Sequence, residues 1–195
     1  MGGLLPPIEG SAIAVLWVLL PAYLASAFAT LPKGRGPAMD FGRNWPWDGR
    51  RILGPSKTWS GYLVGSTLAV PFGLLEAALI LAAPPNLQLV PRWGPSVAAA
   101  LPIVALVTYG AMAGDALGSF VKRRLGRPSG SRTLVLDQLP FVAVPLLLGA
   151  AVDPGLFVSV FASWEALLWL VIFTFGLHAV FNWIGFHAGL KKVPW

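Results

Sequence analysis

The chain has 195 residues, 56% of them hydrophobic and only 11% charged, with a mean hydropathy of +0.71. Such a composition excludes a water-soluble globular domain and predicts an all-α integral membrane protein. The net charge of +6 sits in loops between apolar runs, which fits a headgroup surface and argues against nucleic acid. The absence of cysteine removes disulfides, thiolate zinc sites and cysteine nucleophiles together.

A transmembrane helix needs roughly 20 mostly apolar residues, and five stretches qualify: 11–31, 58–82, 96–113, 138–152 and 157–190. The connections are too brief for a soluble domain, so residues 1–195 read as one transmembrane catalytic domain with two basic loops. Glu9 and no Lys or Arg precedes the first run. The basic region of a cleavable signal is therefore missing and the first helix is expected to be retained. That helix carries little beyond Leu, Ala, Val, Trp17 and Pro21 and reads as packing.

Six cations lie between the first two runs, five follow the third, and Lys191 and Lys192 lie near the carboxyl end; only Arg92 falls on the other side. The positive-inside rule then places the amino terminus outside, with the basic loops and the carboxyl terminus in the cytoplasm.

The first basic loop, 32–57, is dense in Gly and Pro, which predicts a shaped loop whose backbone amides are free to bind oxyanions. It contains Asp40, Asn44, Asp48 and Arg51. Its end, Gly54-Pro55-Ser56-Lys57-Thr58, differs from a P-loop because Ser56 stands where Gly is required and no strand precedes it. The physics is related: Lys57 and the Thr58 hydroxyl open a helix whose amino-terminal amides favour phosphate.

The second run carries Glu76 and the fifth opens with Glu165, both read as structural groups toward the outer surface. The Pro-rich connection 83–95 also reads as structural.

The third run delivers Asp115. If its helix continues, Asp115, Ser119, Lys122 and Arg123 fall at i, i+4, i+7 and i+8 on one stripe. A carboxylate, a hydroxyl and two cations then share a face. Asp137 precedes Gln138-Leu139-Pro140 and reads as a helix N-cap with Pro in the first turn. His178 and Asn182, four apart in the last run, point to hydrogen bonding inside the bundle.

Asp40-Phe-Gly, Asp48-Gly-Arg-Arg-Ile-Leu-Gly with Lys57-Thr58, Gly114-Asp115, Ser119-x-x-Lys122-Arg123-Arg124, Leu136-Asp137-Gln138, His178-x-x-x-Asn182 and Lys192-Val-Pro-Trp195 together resemble the archaeal CDP-archaeol synthases. More distantly, the chain is similar to CDP-diacylglycerol synthases. Pro140 departs from the family, which often has an acidic residue there, so a third carboxylate ligand is not implied.

The resemblance implies five transmembrane helices and transfer of a cytidylyl group from CTP to an isoprenoid ether glycerol phosphate, with magnesium required and pyrophosphate released. On that reading Lys57, Lys122, Asp115 and Asp137 are catalytic, with Asp115 and Asp137 holding the metal. Asp40, Asn44, Arg51, Thr58, Ser119 and Arg123 bind substrate. The partners are CTP, the lipid phosphate and the bilayer; an oligomer is compatible with it. Three other readings stay open at this point: synthesis of CDP-diacylglycerol, phosphorylation of a lipid by ATP, and a small lipid or ion transporter.

Overall fold

The computed structural model describes residues 11–129, 131 and 133–190. Glu9, Arg132 and the Lys191–Lys192 pair with its following Trp195 lie outside the described residues.

The described residues form six α-helices: α1 (Ala12–Phe28), α2 (Trp59–Ala82), α3 (Val97–Arg124), α4 (Leu134–Val152), α5 (Pro154–Phe161) and α6 (Trp164–His187). Capping side chains set most of their starts. The hydroxyls of Ser11, Thr58, Ser96 and Ser163 and the carboxylate of Asp153 each accept a backbone N–H from the first turn they precede.

Four helices are long and apolar enough to cross a membrane: α2, α3, α4 and α6. The first helix has 17 residues, shorter than the usual span, and α5 has eight. Three expected boundaries are corrected. The third helix does not stop at residue 113 but runs 28 residues to Arg124, about 42 Å at 1.5 Å per residue. It outreaches a hydrocarbon layer of about 30 Å, and the cationic cluster forms its last turn. The fourth helix starts at Leu134, because Thr133 and not Asp137 is its N-cap. The long last run is two helices, broken where Ser163 caps a fresh start.

Helix α1 is the packing element that the sequence predicts: Val15, Val18, Leu19 and Tyr23 are buried, and the helix packs chiefly on α2 and also on α3, α6 and α5. The most extensive interface joins α3 to α4. Gly110, Gly114 and Gly118 recur every four residues along the α3 face that meets α4. A Cβ on Gly114 or Gly118 would strike the carbonyl oxygen of Pro140 or Leu136. The two backbones therefore touch, as small residues permit between membrane helices. This contact sets Asp115, next to Gly114, against the start of α4.

Candidate active site

Two carboxylate–ammonium pairs lie at the end of the bundle where α3 finishes and α2 and α4 begin. Lys57, just before the α2 cap, reaches across to α3 and donates to Asp115 Oδ2 at 2.5 Å. Lys122, in the last turn of α3, donates to Asp137 Oδ1 in the first turns of α4. Asp137 also accepts the Thr133 N–H through its other oxygen, 3.0 Å away. The side chains of Asp115 and Asp137 remain 28% and 26% exposed, so both stay within reach of a ligand. The stripe expected on α3 is present, with Ser119, Lys122 and Arg123 all buried on the helix that carries Asp115.

Arg123 is a buried cation of this cluster with donors to spare. It is 7% exposed, gives one Nη2 bond of 2.9 Å to the Pro128 carbonyl, and its Nε has no partner among the described residues. A buried guanidinium in that state is suited to an anion, since its planar fork matches phosphate oxygens.

The first basic loop is shaped, but its amides are not all free. Asp40 is buried and accepts from Gly42, Leu53 and Gly54 N–H groups, each at 3.0 Å, while Arg51 grips it through Nε and Nη2 at 3.0 Å each. The chain supplies its own anion to those amides. Gly54 presents its N–H from φ +131°, a conformation that residues with a Cβ rarely adopt. Burial alone would raise the Asp40 carboxyl, yet the Arg51 guanidinium and the three N–H donors hold it well below the usual carboxylate range. Asp40 and Arg51 thus hold the loop together.

Thr58 is buried and its hydroxyl caps α2 by accepting the Gly61 N–H at 3.1 Å. Asn44 stands exposed, its backbone bridged to Arg51. His178 faces inward as expected, edge-on to Phe141 with ring centroids 6.3 Å apart, and is an electrostatic neighbour of Asp115; Asn182, one turn later, is buried.

Arg124 and Asp48 have a role that the sequence does not single out. Arg124 donates to Asp48 at 2.8 Å and to the Arg51 carbonyl at 2.6 Å, and lies over the Phe120 and Trp45 rings at 5.0 and 5.7 Å. Arg50 returns a bond of 2.7 Å to the Arg124 carbonyl. These contacts dock the first basic loop onto the end of α3, bringing both basic loops to one surface. Arg124 and Asp48 both fall within the motifs of the resemblance, but nothing local in the sequence pairs them across 76 positions.

A family model described as CarS-like, CDP-archaeol synthase, matches residues 9–195. This chain belongs to that family. Among CDP-archaeol synthases it is 39% identical to one from Archaeoglobus fulgidus over 94% of this chain and 97% of the relative. It is 37% identical to one from Thermococcus gammatolerans over 92% and 94%. A solved structure described as an intramembrane enzyme for archaeal membrane lipid biosynthesis superposes with a TM-score of 0.62 at 31% identity, covering 86% of this chain and 94% of that one. Lys57–Asp115 and Lys122–Asp137 are two of four carboxylate–cation pairs at this end of the bundle, beside Arg51–Asp40 and Arg124–Asp48.

Proposed function

We propose that the chain catalyses attack by the phosphate oxygen of an isoprenoid ether glycerol phosphate on the α-phosphorus of CTP. The bond to the β-phosphate oxygen breaks, CDP-archaeol forms and pyrophosphate leaves. The observation that carries this reading is the pair of carboxylate–ammonium contacts, one tying the first basic loop to α3 and the other joining the end of α3 to the start of α4. Phosphoryl-type transfer asks the protein mainly for positioning and charge compensation. Lys57 and Lys122 compensate the charge developing on the pyrophosphate, Arg123 takes the lipid phosphate, and Ser119 shares the buried side of α3 with Lys122 and Arg123. The lipid phosphate is already anionic, so no general base is required. Asp40 and Arg51 act by shaping the loop, and Thr58 by fixing the start of α2 behind Lys57.

The donor set fits magnesium in one particular way. Among the described residues no group of three or more His, Cys, Asp or Glu could hold a metal, and magnesium is commonly held by one or two carboxylates together with substrate phosphates and water. Asp115 and Asp137 would be those carboxylates. The ion would supply positive charge to the phosphate oxygens. Lys57 and Lys122 balance the same carboxylates.

The topology follows from the same chemistry. A five-span arrangement with the amino terminus outside gives the paired carboxylates access to cytosolic CTP, and the clustering of Lys and Arg in the two docked loops supports it. Cysteines introduced at Arg35 and Arg127 should then be protected from an impermeant external reagent, and one at Asn86 should react. The deciding assay supplies purified protein in lipid with labelled CTP and the isoprenoid lipid phosphate. The expected products are a CMP-bearing lipid and pyrophosphate in equal amounts, with ATP failing to substitute. Transfer from ATP would make it a kinase, and a marked preference for phosphatidate would make it a CDP-diacylglycerol synthase.

A further inference from the structure

An apolar groove of about 230 Å³ opens between α4 and α6, two helices that meet only sparingly. Val135, Gln138 and Leu139 line it from one stripe of α4, and Leu170, Val171 and Phe175 from α6. Val135, Leu139 and Val171 are all more than half exposed, so the groove has an open side that faces hydrocarbon in a bilayer. Its one buried amide, Gln138, has an Oε1 without a hydrogen-bond partner among the described residues and adjoins Asp137 in sequence.

The groove begins one residue from the site, since Gln138 in its wall follows Asp137. Thr174 forms part of its wall and is fixed by a hydrogen bond of 2.8 Å with the Tyr23 hydroxyl. One turn further along the same face of α6 stands His178, its ring edge-on to Phe141 of α4.

We propose that this groove receives the first isoprene units of one tail of the lipid phosphate, entering sideways from the bilayer, and so fixes the reach of the headgroup toward Arg123. The inference rests on the cytidylyltransferase reading and adds the place and chemistry of the tail. An engineered apolar cavity of about 150 Å³ takes one benzene ring; on that scale the groove holds roughly nine carbons, or about two branched five-carbon units. The rest of the chain stays in bulk lipid. The groove thus reads the branched segment next to glycerol and leaves total chain length unread.

The test is photolabelling of the full-length protein in phosphatidylcholine nanodiscs with an isoprenoid ether glycerol phosphate carrying a diazirine in its first isoprene unit. The label should fall on residues 135–142 and 170–175. It should be displaced by unlabelled lipid phosphate and not by the same diether lacking phosphate. Label that the phosphate-bearing competitor fails to displace would mean bulk lipid fills the groove, and label crossing between chains would mean a second copy covers it; either overturns the proposal.

Kinetics give a second arm. Val171→Trp and Leu139→Trp should each raise the KM for the lipid about tenfold, the lower range for a pocket contact, with the KM for CTP unchanged. Val180→Trp, nine positions on and half a turn round α6, should leave both constants as they were. An unchanged lipid KM in both groove variants overturns the proposal. Specific label in the groove without any CMP transfer would instead refute the cytidylyltransferase reading while leaving a lipid-phosphate site.

Discussion

The two ends of the bundle use carboxylates in opposite ways. At the basic-loop end Asp40, Asp48, Asp115 and Asp137 each have a cationic partner, respectively Arg51, Arg124, Lys57 and Lys122. Toward the other end of α2, Glu76 is 6% exposed, lies beside the indole N–H of Trp93 and has no cationic partner among the described residues. A buried carboxyl without a cation is costly to keep charged, whereas a carboxylate paired at a polar mouth can exchange its partner for another cation. Carboxylates are paired with cations at one end and buried without one at the other.

The largest effect that would break this comparison comes from removing charge at the mouth. Asp115→Asn and Asp137→Asn should each lower CMP transfer at limiting magnesium by at least about 10²-fold, the scale of one strong electrostatic contact in a transition state. Both should keep a cooperative unfolding transition. Normal turnover in both variants would return these residues to the class of Glu76.

Removing the cations should cost less. Lys57→Ala and Lys122→Ala are each expected to reduce kcat by about 10-fold or more, because charge compensation of the leaving group is spread over several cations. Lys57 is not a free interfacial lysine: its side chain is 23% exposed and bonded to Asp115. Its loss should therefore also lower stability, by at most about 1 kcal/mol for a partly exposed pair, read from the shift of the unfolding midpoint.

Asp40→Asn sharpens the contrast within the basic end, where this carboxylate holds structure. The loss of charge-assisted bonds should destabilise by about 2 kcal/mol, and should raise cleavage of the loop by added protease before it alters the KM for CTP. The pH dependence follows from the depressed carboxyl. A group whose folded value is lowered contributes its stability above the ordinary Asp value of about 3.9 and loses it as pH falls below that value. Protection of the loop in the wild type should persist at pH 5 and fade below about pH 4.

The smallest effect is expected at the opposite end. Glu76→Gln preserves shape and removes the charge that this pocket has no cation to balance, so transfer should stay within about twofold and the unfolding midpoint should hold or rise. A loss comparable to that of Asp115→Asn would erase the distinction between the two ends.

Composition and short spacing were enough to read part of this architecture. Apolar runs of membrane length, the i, i+4, i+7, i+8 stripe from Asp115 to Arg123, the Thr58 cap and the family resemblance are local patterns, and local patterns survive without knowledge of the fold. Three helix boundaries were misread because hydropathy does not register a helix that continues into polar residues, as α3 does to Arg124, or one restarted by a single capping serine, as α6 is at Ser163. Only the tertiary structure decided who pairs with whom. Lys57 finds Asp115 across 58 positions and Arg124 finds Asp48 across 76, and Asp40 draws in amides that the loop composition leaves free. The tertiary structure also gave Gly114 and Gly118 their purpose, because a missing Cβ matters only once the carbonyls of Pro140 and Leu136 stand against it. Such pairings are set by how helices pack, and packing is a property of the whole chain that no single stretch encodes.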